Sequence, residues 1–192
     1  RCILVRGYSR SVALSLIDMQ LGSFGPDTPR FDTDGVVERI NALATRVRAR
    51  GGMVVFVQHD GPPGDPHVPG SPGWQVLPAL RREDGDGSIR KTPCDCFHDT
   101  DLEARLRAAK ISRLFLTGCA TDFCVDTTVR RAAIMGFETW APSDGHTTAD
   151  RPQLSAPQVI AHHNYVWADL IAPTGPVRVM STEEILAGVL AV

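Results

Sequence analysis

Arg113-Leu114-Phe115-Leu116-Thr117-Gly118-Cys119-Ala120-Thr121-Asp122-Phe123-Cys124-Val125 starts as a short apolar run and closes in a polar turn. The run 113–117 has the length and composition of a strand buried on both faces. Residues 124–135 read as a helix. A buried strand passing through a tight turn into a helix is half of a βαβ unit. The same alternation extends in both directions. Upstream, 11–17 and 53–57 read as buried strands. Between them, 35–50 carries Val36, Val37, Ile40, Leu43, Ala44 and Val47 at the spacing of a helix packed on one side. The proline- and glycine-rich stretch 59–87 is too long for an idle connection and suggests function or disorder. Residues 88–97 read as an irregular edge strand and 100–110 as a helix. Downstream come a strand at 137–141, a helix over 152–171 broken near Pro157, a strand at 177–180, and a helix at 182–190 capped by Ser181 or Thr182. Strands separated by helices predict right-handed crossovers and an α/β fold: three αβα layers around a mainly parallel sheet. No composition break divides the chain, so one domain is expected over 1–192.

The 192 residues are 43% hydrophobic and 22% charged, ordinary values for a globular chain. Twenty basic residues against 22 acidic ones predict no nucleic-acid partner. The apolar runs are too short to span a membrane. Arg1-Cys2-Ile3-Leu4 does not open a secretion signal, and five cysteines, an odd number, do not suggest a disulfide framework. A reducing, cytoplasmic setting is expected.

In parallel sheets, ligands bind outside the carboxyl ends of the strands. Four stretches fall there: Asp18-Met19-Gln20, Gln58-His59-Asp60, Gly118-Cys119-Ala120-Thr121 and Ser143-Asp144-Gly145-His146. A cysteine at a helix N-terminus faces free N–H groups and a positive dipole end, which would lower its pKa and favour the thiolate. Cys124 is thus either a nucleophile or a small buried apolar residue. Asp18 is either a base at the end of a buried strand or a loop cap. Lys91 is one of two lysines beside eighteen arginines. It is either a required point charge or a solvated lysine.

Taken together, Asp18-Met19-Gln20, Lys91 and Gly118-x-Ala120-Thr121-Asp122-x-Cys124-Val125 resemble the isochorismatase-like cysteine hydrolases, a family that includes nicotinamidases and carbamoyl-amide hydrolases. The resemblance covers nearly the whole chain. It implies that Cys124, Asp18 and Lys91 act together on a small amide, lactam or carbamoyl substrate. It also implies a cis peptide at Cys119–Ala120, turning the Ala120 N–H toward the point served by the Cys124 N–H, so that the two form an oxyanion hole. A homodimer or homotetramer is expected.

Nicotinamidases of the family carry Asp-x-His just after the second strand. Here that place reads Gln58-His59-Asp60, and Asp65-Pro66-His67 comes several residues late, so neither metal nor cofactor is expected. Cys94 and Cys96 lack zinc-site or redox-pair spacing and read as packing. His162-His163-Asn164, with Ser143-Asp144-Gly145-His146-Thr147-Thr148, resembles a subgroup near the hydrolases of streptothricin-type lactams. Adjacent histidines on a helix diverge by about 100° and do not share an ion. Gln20, Phe24, Trp74, Phe97 and Phe123 flank the expected edge as substrate-binding candidates, with core packing as the competing reading for the aromatics. Residues 70–74 have the composition of a lid. Three other readings stand beside the hydrolase: vinyl-ether hydrolysis, a non-catalytic binding protein on the same fold, and a thiol redox protein.

Overall fold

The computed structural model describes residues 11–191. Cys2 and the reading of the first residues therefore lie outside the described residues. In chain order the elements are β1 Val12–Ile17, α1 Thr33–Ala49, β2 Met53–His59, β3 Gly87–Lys91, α2 Leu102–Ala108, β4 Arg113–Cys119, α3 Asp126–Ile134, β5 Glu138–Pro142, β6 His146–Thr147, α4 Ala156–Ala168, β7 Arg178–Met180 and α5 Thr182–Ala187. The sheet runs β3-β2-β1-β4-β5-β7, with β6 paired to the end of β4. Every pairing within it is parallel.

The strands are buried on both sides because alternate residues feed two cores. Ala13, Val55, Val57, Leu114 and Leu116 pack with Leu102, Leu106, Val129 and Trp167 of α2, α3 and α4. Leu14, Leu16, Val54, Phe56 and Phe115 pack with Ile40, Leu43, Val47 and Ile185 of α1 and α5. Three layers follow directly from that alternation, as the sequence leads one to expect.

Several local expectations are corrected. The edge strand is shorter than 88–97 and ends at Lys91, after which the chain turns away. Pro157 does not break α4. It lies in the first turn, where its missing N–H has no helical partner to lose, and Ser155 with Gln158 forms the capping box. Ser181, with Glu184, caps α5. The short strand β6 has no signal of its own in the sequence; it forms because His146 and Thr147 find the exposed end of β4. The helix expected at 124–135 is α3 preceded by a turn of π-helix, Thr121–Val125, so Cys124 sits inside that turn.

Register sets the level of the strand ends. Ile17 pairs with Gly118, and His59 pairs with Lys91. The Asp18 N–H donates to the Val57 carbonyl at 3.0 Å, which carries β1 one step beyond its last paired residue. Gly118 has φ of +124°, and a Cβ there would lie 2.1 Å from the Ile17 carbonyl oxygen. Only glycine lets β4 cross that point against β1.

Candidate active site

Three strand ends meet at one ammonium. Lys91 Nζ donates to Asp18 Oδ2 at 2.7 Å, to the Pro93 carbonyl at 3.1 Å and to Cys124 Sγ at 3.4 Å. Its three donors are thereby used. Lys91 and Asp18 are both buried. A buried ion pair of this kind is held by its geometry, and loss of one partner costs about 3–5 kcal/mol. Asp18 Oδ1 is buried with no hydrogen-bond partner among the described residues. The carboxylate therefore keeps one oxygen free to accept a proton.

Burial is the largest single influence on Lys91 and pulls its pKa down, but the Asp18 charge and hydrogen bond, together with the neighbouring Cys96 and Cys124, outweigh it and hold the ammonium above its usual range. For Cys124 the balance goes the other way. Burial pushes the thiol up, the Asp18 charge pushes it further, and Lys91 opposes them without prevailing. The expected lowering of the Cys124 pKa is thus corrected. The resting group is a neutral thiol, because a thiolate would add a second negative charge beside Asp18 in a poorly solvated hollow.

The turn carrying Cys124 is firmly held. The Cys119–Ala120 peptide is cis. The Ala120 carbonyl accepts from the N–H groups of Phe123 and Val125, which flank Cys124. Thr121 Oγ1 lies 2.8 Å from Nδ1 of His146, whose Nε2 lies 3.0 Å from Asn164 Oδ1, and Asn164 Nδ2 donates to the Ser143 carbonyl. His146 is buried and its pKa is pushed down to about 4, chiefly by that burial. A neutral imidazole then donates from Nε2 to Asn164 and accepts the Thr121 hydroxyl proton at Nδ1. On the turn's other side, Asp122 accepts from Arg151 and from Thr148 Oγ1. The Ser143–Thr148 stretch and Asn164, unassigned from sequence, act as supports of this turn. His163 donates Nδ1–H to the Val159 carbonyl of its own helix.

Above the three side chains opens a cavity of about 370 Å3. Asp18, Ala120, Phe123 and Cys124 line it. The other expected wall residues do not. Gln20 is fully buried, bonding through Nε2 to the carbonyls of His59 and Trp74 and through Oε1 to the His59 N–H. Phe24 packs against the α1 core. Phe97 is buried and stacks on Phe137 at 6.0 Å. Trp74 donates its indole N–H to Asp60, under the guanidinium of Arg90. With Gln20 and Gln58 both bound to the Trp74 carbonyl, residues 70–74 are a fastened strap rather than a free lid.

The opposite wall includes residues the sequence reading left out or set aside: Ser23, Arg30, His59, Asp65, His67 and Cys94. Asp65 Oδ1 accepts from both the N–H and Nδ1 of His67, and His67 Nε2 lies 2.9 Å from Ser23 Oγ. Asp65-Pro66-His67 thus forms a hydrogen-bonded pair in the cavity wall. Arg30 carries no sequence signal, since nothing local announces that its loop turns inward. Cys96, unlike Cys94, is buried in the core and pushed up to about 12, chiefly by that burial.

Comparison with known proteins agrees with this architecture. An isochorismatase domain matches residues 12–168. A streptothricin hydrolase of Streptomyces noursei is 33% identical over 147 residues, covering 77% of this chain and 52% of that protein. The ureidoacrylate amidohydrolase RutB of Variovorax paradoxus is 29% identical over 156 residues, covering 62% of each. The chain thus spans about half the length of the first relative and under two thirds of the second. Among solved structures, a cysteine hydrolase from Pseudomonas syringae pv. phaseolicola superposes with a TM-score of 0.81 at 25% identity, over 92% of this chain and 91% of that one.

Proposed function

The chain belongs to the isochorismatase family, and we propose that within it this protein is a cysteine hydrolase that cleaves a small amide, lactam or carbamoyl C–N bond through a thioester on Cys124. The observation that carries the reading is the Lys91 ammonium shared between Asp18 and the Cys124 sulfur at the floor of the cavity. The amide-cleaving relatives support it in kind.

The charge balance gives the order of events. At rest the hollow holds one carboxylate, one ammonium and one thiol. As Cys124 Sγ attacks the carbonyl carbon, its proton passes to Asp18, and a thiolate beside a protonated Asp18 and Lys91 carries the same net charge as before. No extra charge is buried, which is why a carboxylate is needed there although the thiol itself is held protonated. The carbonyl oxygen takes up negative charge facing the N–H groups of Ala120 and Cys124, worth about 3 kcal/mol per donor. Asp18 returns the proton to the departing nitrogen, and the C–N bond breaks. Water then attacks the thioester with Asp18 again as base, releasing the acid and restoring the thiol. The same reading includes one domain over the chain, a cytoplasmic setting, and assembly into a homodimer or homotetramer.

The test is a screen of amides, lactams and ureas for amine or ammonia release, with mass spectrometry on the quenched enzyme. An acyl mass on Cys124 and loss of turnover in Cys124→Ala are expected. Turnover retained by Cys124→Ala sinks the reading.

A further inference from the structure

The floor of the cavity is electrically closed, because Asp18 and Lys91 face each other. The wall is not. Arg30 Nε donates to the Ser23 carbonyl at 2.7 Å. Among the described residues, no Asp or Glu lies within ion-pair distance of its guanidinium, and its two terminal nitrogens have no hydrogen-bond partner. Arg151, close by under Phe123, shows the contrast: both its Nε and a terminal nitrogen bind Asp122. Arg30 lines the same cavity as Cys124, and its charge reaches Cys119, the residue before the turn.

Among the described residues, the other charged and titratable groups of the wall do not pair with Arg30, although Asp65 keeps its carboxylate charge. Asp65 is taken up by His67, and His59 is held toward its neutral form, first by burial and then by Lys91. The wall is also built to hold Arg30 in place. Asp65 orients His67, His67 holds the Ser23 hydroxyl, and the Ser23 carbonyl holds Arg30 Nε. Gly73 lets the second loop fold back on itself beside the first, since a Cβ there would lie 2.2 Å from the Pro66 carbonyl oxygen of its own loop and 3.3 Å from the Gly22 Cα of the other. A guanidinium fixed at one nitrogen, with its remaining donors turned to a small cavity, is suited to a planar two-oxygen anion.

We propose that Arg30 is the anion-recognition residue of this cavity, and that the substrates are amides bearing a carboxylate close to the scissile bond, such as ureido acids and acid amides. The assignment takes from the hydrolase reading only which bond is cut; binding at Arg30 does not depend on it. In this arrangement the carboxylate docks on the terminal nitrogens of Arg30, and the neutral amide end reaches the Cys124 turn.

The experiment is calorimetric titration of Cys124→Ala protein at low salt with matched pairs: N-carbamoylglycine against N-carbamoylglycinamide, and succinamate against succinamide. In at least one pair the acid is expected to bind about tenfold or more tighter, the scale of a charge-assisted bidentate contact. Adding Arg30→Gln brings the ratio close to one, and Arg30→Lys keeps part of it. Equal binding in both pairs, or a preference that survives Arg30→Gln, overturns the assignment. Turnover of the same four compounds by the unaltered enzyme is read separately. An Arg30-dependent preference without any turnover counts against the hydrolase reading and leaves the anion site standing.

Discussion

The floor and the wall of the cavity are built by different means. The floor takes Asp18, Lys91 and Cys124 from the ends of β1 and β3 and the turn after β4, elements locked by parallel register and two apolar cores. The wall takes Ser23, Arg30, Asp65 and His67 from two loops joined by side-chain hydrogen bonds and one close glycine approach. Backbone pairing can hold reacting atoms to fractions of an ångström, whereas loops supply variable recognition. The proposed chemistry accordingly falls to the floor, and the proposed choice of substrate to the wall.

The sharpest way to break that division is Asp18→Asn. Turnover should fall about 10²–10⁴-fold, the usual share of a positioned acid–base group. Alkylation of Cys124 by iodoacetamide at neutral pH should become faster, because the charge that helps hold the thiol protonated is gone while Lys91 remains. Alkylation that slows instead would show that Asp18 already draws the proton off the sulfur at rest.

Next in size is Lys91→Met, which leaves Asp18 buried without its partner. A loss of about 3–5 kcal/mol in urea unfolding is expected. The double variant Asp18→Asn with Lys91→Met should be more stable than Lys91→Met alone. If the two losses merely add, the pair is not the joint unit described here.

A third measurement concerns the support beneath the floor. A histidine titrates near about 6.5 in the unfolded chain, and folded His146 near about 4. Between those values the unfolded chain takes up the proton first. Stability is therefore complete above about pH 6.5 and declines as the pH falls toward 4, by on the order of 3 kcal/mol from this group. His146→Gln should remove that part of the acid slope; an identical slope would mean that His146 is not the group responsible.

The smallest effect is expected from the wall. Gly73→Ala drives a Cβ onto the Pro66 carbonyl and should cost about 1–3 kcal/mol as the loops shift. KM should rise more than kcat falls, since the floor stays in place. An equal fall in kcat would blur the division between the two regions.

The floor was also the part that could be read in advance. Taken singly, Asp18, Lys91 and Cys124 each left a plainer reading open; the resemblance of their combined motifs to the isochorismatase-like hydrolases joined them, and parallel topology brings strand ends to one edge. What failed was the sign of the thiol shift, because a helix start argues for a thiolate only until burial and a neighbouring carboxylate are weighed against it. Of the aromatic wall candidates Phe123 lines the cavity, whereas two others failed for a related reason. Phe24 and Phe97 flank the site in sequence, yet apolar side chains go where the core needs them. Arg30, Ser23 and His67 could not be placed beforehand, since their meeting depends on how two irregular loops pack.

The amino-acid order alone determined the layered sheet and which strand ends share an edge, because hydrophobic period and crossover handedness leave few alternatives; Asp18, Lys91 and Cys124 were joined by the resemblance of their motifs to a known family. Only the folded chain decided the protonation of Cys124, the use of His146 and Asn164 as supports, and the unpaired charge of Arg30. Those depend on burial and on distances between segments remote in sequence, which no local pattern encodes.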